Sequence, residues 1–395
     1  MRDLFLLDPQ VTFLNHGSFG ACPRPVFEAY QNWQLELERQ PVEFLGRRAA
    51  GLMDESRAAL AAYLGAQAGD LIYVPNATTG MNIVARSLDL QPGDEILGTD
   101  HEYGAIDRTW QFVTLKTGAV YVRQPIDLPY ESDAAMIERL WQAVTPRTRV
   151  IAISHITSPT AVIFPVAEIC RRAREAGILT VIDGAHVPGH MALDLDALGA
   201  DFYTGNCHKW LCAPKGAAFL HVQREHHATI EPQVISWGWL PPWGDDGSTV
   251  YGSFFDAEPV SRLVEYNQWQ GTRDISAYLT VPAAIDFQRQ HDWDTVRRDC
   301  HALAGETAER VAALTGQPVA VPDGAFGQMI VLPLPPATDV FTLGRRLYDE
   351  YRIEIPAIMW NGRPHLRVSF QAYNSRADAD VLLAALETLL PACTA

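Results

Sequence analysis

The stretch Asp183-Gly-Ala-His186, read together with Gly205-Asn-Cys-His-Lys209-Trp210, sets a carboxylate and an amine 26 residues apart. The apolar run Ile178-Leu-Thr-Val-Ile182 leads into the acid, and Asp201-Phe-Tyr-Thr204 leads toward the lysine. That spacing accommodates a strand end, a loop and a second strand, so both side chains are expected at one edge of a sheet. Each feature alone is ordinary, since Asp-Gly pairs make turns and most lysines after a strand are solvated. Together they meet the needs of pyridoxal phosphate. An amine forms a Schiff base with its aldehyde, and an acid keeps its pyridine nitrogen protonated.

Outward from this pair, strand and helix signals alternate. Leu71–Val74, Asp94–Leu97, Ala119–Val122, Arg149–Ser154 and Gly216–Val222 read as further strands. Met81–Leu88, Gly104–Leu115, Ala134–Val144 and Val166–Ala176 read as helices, the last stopped by Gly177. β-Branched apolar runs alternating with helices predict an α/β fold with a mainly parallel sheet covered on both faces. Ligands then sit beyond the carboxyl ends of the strands. Asp183, Lys209 and the loop at 75–79 are all expected there. After Gly271 the pattern turns helical (Ala277–Gln290, Val296–Leu314, 376–389), with short strands near 328–333 and 366–370. This predicts a smaller α+β domain of residues 1–19 and 272–395 beside a large domain of residues 20–271. The Trp-, Pro- and Gly-rich stretch at 231–256 reads as an ordered loop near the site or at a subunit contact.

A chain of 395 residues is long for one core, and its 48% apolar and 20% charged residues suit a globular protein. A net charge of −16 argues against nucleic acid and anionic membranes as partners. The N-terminal apolar run is short for a secretory signal, and no segment has the length of a membrane span, so a cytoplasmic location is expected. Six scattered cysteines without a C-x-x-C pair suggest reduced thiols. No metal site is expected, and His226 and His227 read as surface residues.

Several candidates flank the pair. Asn76-Ala-Thr-Thr-Gly80 joins a strand to a helix, so Thr78 and Thr79 are able to hold a phosphate at a helix N-terminus, or simply to cap it. His186 is placed to stack on a cofactor or bond the acid, and His208 to donate to phosphate. Tyr103, or failing that His101, in Asp100-His-Glu-Tyr-Gly104 is a candidate to lie on the pyridine ring. Ser158 or Thr157 is a candidate partner for the phenolic oxygen, although a Ser-Pro turn explains the motif equally. Thr272 offers another phosphate donor at what is also a domain hinge. Arg367 sits inside the apolar strand His365-Leu-Arg-Val-Ser369, where a buried guanidinium needs an anion. A substrate α-carboxylate is one such anion, and an internal Asp or Glu is the other.

These motifs, in this order and over almost the whole chain, resemble the class V aminotransferase family. That family has pyridoxal-phosphate fold type I, the aspartate aminotransferase-like architecture, whose large domain carries a mainly parallel seven-stranded sheet. The likeness is strongest to its isopenicillin N epimerase-like branch. Phe13-Leu-Asn-His-Gly-Ser-Phe-Gly20-Ala-Cys-Pro23, Asp100-His-Glu-Tyr-Gly-Ala105 and His208-Lys-Trp-Leu211 with Pro214-Lys-Gly216 carry it. The resemblance implies Lys209 as the Schiff-base lysine and Asp183 as the pyridinium partner. It implies Thr78, Thr79 and His208 as phosphate ligands, Thr272 as a ligand donated by a neighbouring subunit, and Arg367 as the carboxylate clamp. It also implies a homodimer with the site at the interface, with Asn15 and His16 on the substrate side. Tyr103 stands where the family usually has a stacking histidine, and the Lys209–Pro214 spacing is one residue longer than in cysteine desulfurases. The nucleophilic cysteine of those desulfurases has no counterpart, because residues 320–366 contain no cysteine.

The expected activity is proton removal at the α-carbon of an amino acid by Lys209, with reprotonation from the other face through Tyr103. Carbon–sulfur lysis, transamination and a non-catalytic binding role are the alternatives.

Overall fold

The computed structural model describes residues 1–239 and 261–394. Its strands are β1 (Thr12–Phe13), β2 (Leu71–Val74), β3 (Glu95–Thr99), β4 (Val120–Gln124), β5 (Thr148–Ser154), β6 (Leu179–Asp183), β7 (Phe202–Asn206), β8 (Ala218–Val222), β9 (Met329–Pro333), β10 (Ile353–Glu354), β11 (Ala357–Trp360) and β12 (Arg363–Ser369). Seven of them form one sheet in the order β2-β8-β7-β6-β5-β3-β4. All pairings are parallel except those of β8, which runs against both β2 and β7. The expected mainly parallel sheet is therefore present, with one reversed strand.

Strands β2, β3, β7 and β8 are buried along their whole length, as a sheet covered on both faces requires. One face packs Trp110, Ile83 and Val84 against Ile96, Val150 and Phe202. The other packs Leu60, Leu64, Ile169 and Leu211 against Leu97, Ile151 and Tyr203. The same apolar cluster runs on into Met329, Leu366 and Leu386 of the C-terminal region, where β11-β12-β9 form an antiparallel sheet. β1 pairs with β10, so the chain's opening residues are tied to its last sixty.

Helix ends depart from the sequence reading in explicable ways. The helix read from Met81 starts at Ala77, because Asn76 caps it by accepting from the Thr79 amide at 2.9 Å. The helix read as Ala277–Gln290 is two, Ser276–Leu279 and Val281–Gln290, and Pro282 lies in the first turn of the second. His226 and His227 are half-buried rather than on the surface. His226 bonds Asp201 at 2.9 Å, and His227 lies 3.2 Å from the Val222 carbonyl. Of the stretch at 231–256, residues 240–256 lie outside the described residues. Among the described residues no helix is long and apolar enough to cross a membrane, and all six cysteines are free.

Candidate active site

Adjacent parallel strands deliver the acid and the lysine to the same sheet edge. Asp183 is the last residue of β6, in register with Thr204 of β7, and Lys209 follows the end of β7. Burial pushes the Asp183 carboxyl up, opposed by the Ala185 amide it accepts from at 2.9 Å and by the Lys209 charge. Burial and the Arg367 guanidinium bring the Lys209 ammonium down to about 8, with Asp183 opposing them. The amine thus loses its proton far more readily than an ordinary lysine.

The lysine loop is held by its backbone. The Lys209 carbonyl accepts from the Cys212 amide at 3.0 Å, which closes a turn with Cys212 left-handed at φ 64°. His16 Nε2 lies 3.0 Å from the same carbonyl, and His16 Nδ1 lies 3.0 Å from the Tyr373 hydroxyl. Both nitrogens of His16 are engaged in bracing the loop. Burial lowers its proton affinity to about 3, so it stays neutral. Gly20 crosses above, at φ 69° and ψ 166°, a region open essentially to glycine. A Cβ there would lie 2.3 Å from the His208 carbonyl oxygen and 2.8 Å from Lys209 Cα.

His186 lies directly beside the lysine, with Nε2 3.3 Å from Lys209 Nζ. Its Nδ1 accepts from the Trp210 indole N–H at 3.3 Å. Burial, then Lys209 and Arg367, hold the ring far below its usual proton affinity.

At the phosphate side, the Asn206 amide oxygen at the end of β7 accepts from Ala77 N at 2.8 Å and fixes the start of the helix Ala77–Ser87. Thr79 is half-buried, and its hydroxyl donates to Asn76 at 3.1 Å. The half-buried Thr78 has neither hydroxyl nor amide engaged among the described residues. His208 donates from Nδ1 to the Ala217 carbonyl at 2.9 Å, so the neutral ring presents Nε2 as an acceptor. Burial and Lys209 bring its proton affinity down to about 4.

Arg367 has no acid partner among the described residues. One of its terminal nitrogens donates to the Ser158 carbonyl and lies 3.3 Å from the Ser158 hydroxyl, and the other donates to Ser18 Oγ at 3.1 Å. Its Nε has no partner among the described residues, although the residue is only 4% exposed. Burial drops its proton affinity to about 10. No acid among the described residues accounts for this arginine.

Other candidates stand apart. Tyr103 precedes the helix Gly104–Thr117 and is 49% exposed. His101 is enclosed and bonded to Thr160 Oγ1 at 2.6 Å and the Ile126 carbonyl at 2.8 Å. Thr157 is used up in its own turn, accepting from Val162 N at 2.8 Å. Asn15 is buried and donates to Glu354 at 2.9 Å. Thr272 is exposed in the turn before Ser276–Leu279 and bonds none of the site residues in this chain.

Sequence reasoning passed over four contributors. Ser18 and Asn206 carry no signal beyond their types. Trp210 was visible only as part of a motif. Glu102 was hidden by its neighbours: it is buried, accepts from Thr99 Oγ1 at 2.6 Å and from Ser154 N and Oγ at 2.8 and 2.7 Å, and so ties the segment before Tyr103 to the end of β5. Burial raises it to about 7 against those bonds.

The donor set fits pyridoxal phosphate. It offers a buried acid without a cation bonded to it, an amine that is readily free, and a helix N-terminus with an unclaimed amide and hydroxyl. The comparisons agree. The aminotransferase class-V model matches residues 20–332. An isopenicillin N epimerase of Amycolatopsis lactamdurans is 37% identical, over 98% of this chain and 97% of that one. A putative L-cysteine desulfhydrase of Oryza sativa is 28% identical, over 97% and 85%. A C-DES variant solved with glycine covalently linked to its PLP cofactor superposes with a TM-score of 0.81, at 22% identity, over 98% of this chain and 99% of that one. The chain belongs to the aminotransferase class-V family, and with it to the pyridoxal-phosphate enzymes of fold type I.

Proposed function

We propose that this enzyme moves the α-proton of an amino acid or of a small molecule containing one, with epimerisation as the outcome. The observation that carries the reading is the buried Arg367 guanidinium, which lacks an acid partner among the described residues and acts electrostatically on Lys209. An α-carboxylate supplies the missing anion, and two orienting hydroxyls, Ser18 and Ser158, already attend the arginine.

Pyridoxal phosphate, when bound, supplies an electron sink for the charge left at the α-carbon. Lys209 would hold it covalently and Asp183 would bond its ring nitrogen. Thr78, Thr79 and the helix N-terminus would hold its phosphate, with Thr272 of a second subunit, whereas the neutral His208 has spent its one N–H on Ala217 and has none left to donate. Once released, the Lys209 amine takes the α-proton on its own side. Its depressed proton affinity suits it to act as a base near neutral pH. The exposed Tyr103 is assigned the return of a proton from the opposite face, in a homodimer whose interface closes over it. Ser158 serves the arginine and is free to serve the phenolic oxygen only through its remaining bonding capacity. Asn15 and His16 support the substrate side from behind. A cytoplasmic setting and the division into residues 20–271 against 1–19 with 272–395 complete the proposal.

Carbon–sulfur lysis is the second reading. It is favoured by the desulfhydrase relatives and requires no enzyme thiol, consistent with the cysteine-free stretch 320–366. The test is incubation of the full-length protein with L-amino acids in deuterated water, read by mass spectrometry. Deuterium at the α-carbon without fragmentation supports epimerisation. Release of pyruvate and sulfide or thiol moves the assignment to the lyase, and no exchange on any substrate removes both.

A further inference from the structure

The bonds around His186 settle which of its nitrogens carries the proton. The Trp210 indole N–H is a donor with no acceptor capacity. Because it points at His186 Nδ1 from 3.3 Å, that nitrogen must present its lone pair. The neutral ring then carries its proton on Nε2, the atom 3.3 Å from Lys209 Nζ. A protonated lysine has no lone pair with which to accept that hydrogen, whereas a free amine does.

The indole has little freedom to turn away. Trp210 is fully buried, with its ring centroid 4.0 Å from that of His190 and 4.9 Å from that of His16. His190 Nδ1 lies 3.1 Å from the His186 carbonyl, and its Nε2 accepts from the Gln328 amide at 2.6 Å. The ring and the backbone of His186 are thus both anchored.

We propose that Trp210 is a positioning residue: through His186 it fixes an Nε2–H donor on Lys209 and so holds the lysine as a free amine, ready for carbonyl capture. The inference concerns the chain's own residues and rests on the proposed function only for its purpose. When Lys209 is engaged elsewhere, the same N–H remains aimed into the site as a donor. The charged and titratable groups facing Lys209 are Asp183 from β6, Arg367 from β12, His16 from the short helix His16–Phe19, and His186 and His208 from the loops. Trp210→Phe leaves all of these in place.

The test has two parts, both on the full-length chain. In protein labelled with ¹⁵N-histidine and freed of cofactor, the ring nitrogens of His186 are read by NMR, assigned with His186→Gln. A proton on Nε2 is expected, and a proton on Nδ1 overturns the proposal, whether or not the Phe variant folds. Second, the rate of Lys209 acylation by acetic anhydride is followed against pH by peptide mass spectrometry. In Trp210→Phe, reactivity at pH 7 is expected to fall about fivefold, the effect of one ordinary hydrogen bond, and the pH profile to move upward. A rate within about twofold of wild type overturns it. Neither readout uses cofactor or turnover, so a failed search for amino-acid chemistry would leave this result standing, and the reverse holds as well.

Discussion

Replacing Arg367 by methionine should separate stability from recognition, because the two demands on this residue oppose each other. Burial brings its proton affinity down to about 10, so holding the charge costs roughly 3–4 kcal/mol at about 1.4 kcal/mol per tenfold. Against that stand hydrogen bonds to Ser158 and Ser18, and an Nε that has none. An arginine paired to an internal acid would leave that acid stranded on mutation, at a cost of about 3–5 kcal/mol. Among the described residues no acid is stranded. The unfolding free energy of Arg367→Met without substrate should therefore change by less than about 1 kcal/mol or rise, since a well-packed apolar replacement of a buried charge is often neutral or stabilising. Affinity for a substrate carboxylate should fall by the worth of a charged hydrogen-bonded pair, about 1.5–3 kcal/mol, or roughly 10- to 150-fold. Denaturant unfolding gives the first quantity, and titration with an unreactive α-methyl amino acid gives the second. A loss of several kcal/mol in stability, or unchanged binding of the carboxylate, would refute the reasoning.

Other outcomes follow from the same geometry. Lys209→Ala should lose the borohydride-reducible covalent adduct with pyridoxal phosphate, and an adduct of unchanged stoichiometry would move the lysine assignment elsewhere. Asp183→Asn should keep the cofactor yet lose roughly a hundredfold or more in α-proton exchange, the scale on which one preorganised charge acts in a dry site; near-normal exchange argues against its contact with the ring. Gly20→Ala should cost about 3 kcal/mol or more and reduce cofactor occupancy, because the new carbon meets backbone of the lysine loop in a glycine-only conformation. His16 and His190 fall to about 3 and His155 to about 4, all through burial. The unfolded chain binds these protons first, below its usual value of about 6.5. Stability is complete above that pH and drains away as pH falls toward 3–4, by roughly 2 kcal/mol per histidine at pH 5. Proton uptake on unfolding near pH 5, measured by calorimetry in two buffers, checks this, and an uptake near zero contradicts it.

The acid and the lysine were legible because each follows an apolar β-branched run, and a parallel sheet brings successive strand ends together. Arg367 was legible for the opposite reason, a charge set inside an apolar strand. Ser18 and Trp210 were not, since their importance comes from partners 349 and 24 residues away. Burial likewise escaped the sequence at Glu102, which is enclosed while the adjacent Tyr103 is exposed. The reversed direction of β8 also had no local signal, because the strand's inward-facing residues are as apolar as those of its parallel neighbours. The start of the helix at Ala77 was readable in principle from the cap Asn76, but the periodic apolar positions begin only at Met81.

The pairing of Thr12–Phe13 with Ile353–Glu354, and the bond of His16 to Tyr373, bear on how the enzyme matures. The partners of that bond lie 357 residues apart along the chain. A large sheet folded before residues 353–373 dock has its lysine but neither the brace that steadies the lysine loop nor Arg367. Docking of the C-terminal region thus completes the lysine's surroundings, which makes the assembled pocket a late product of folding rather than a property of the large sheet by itself.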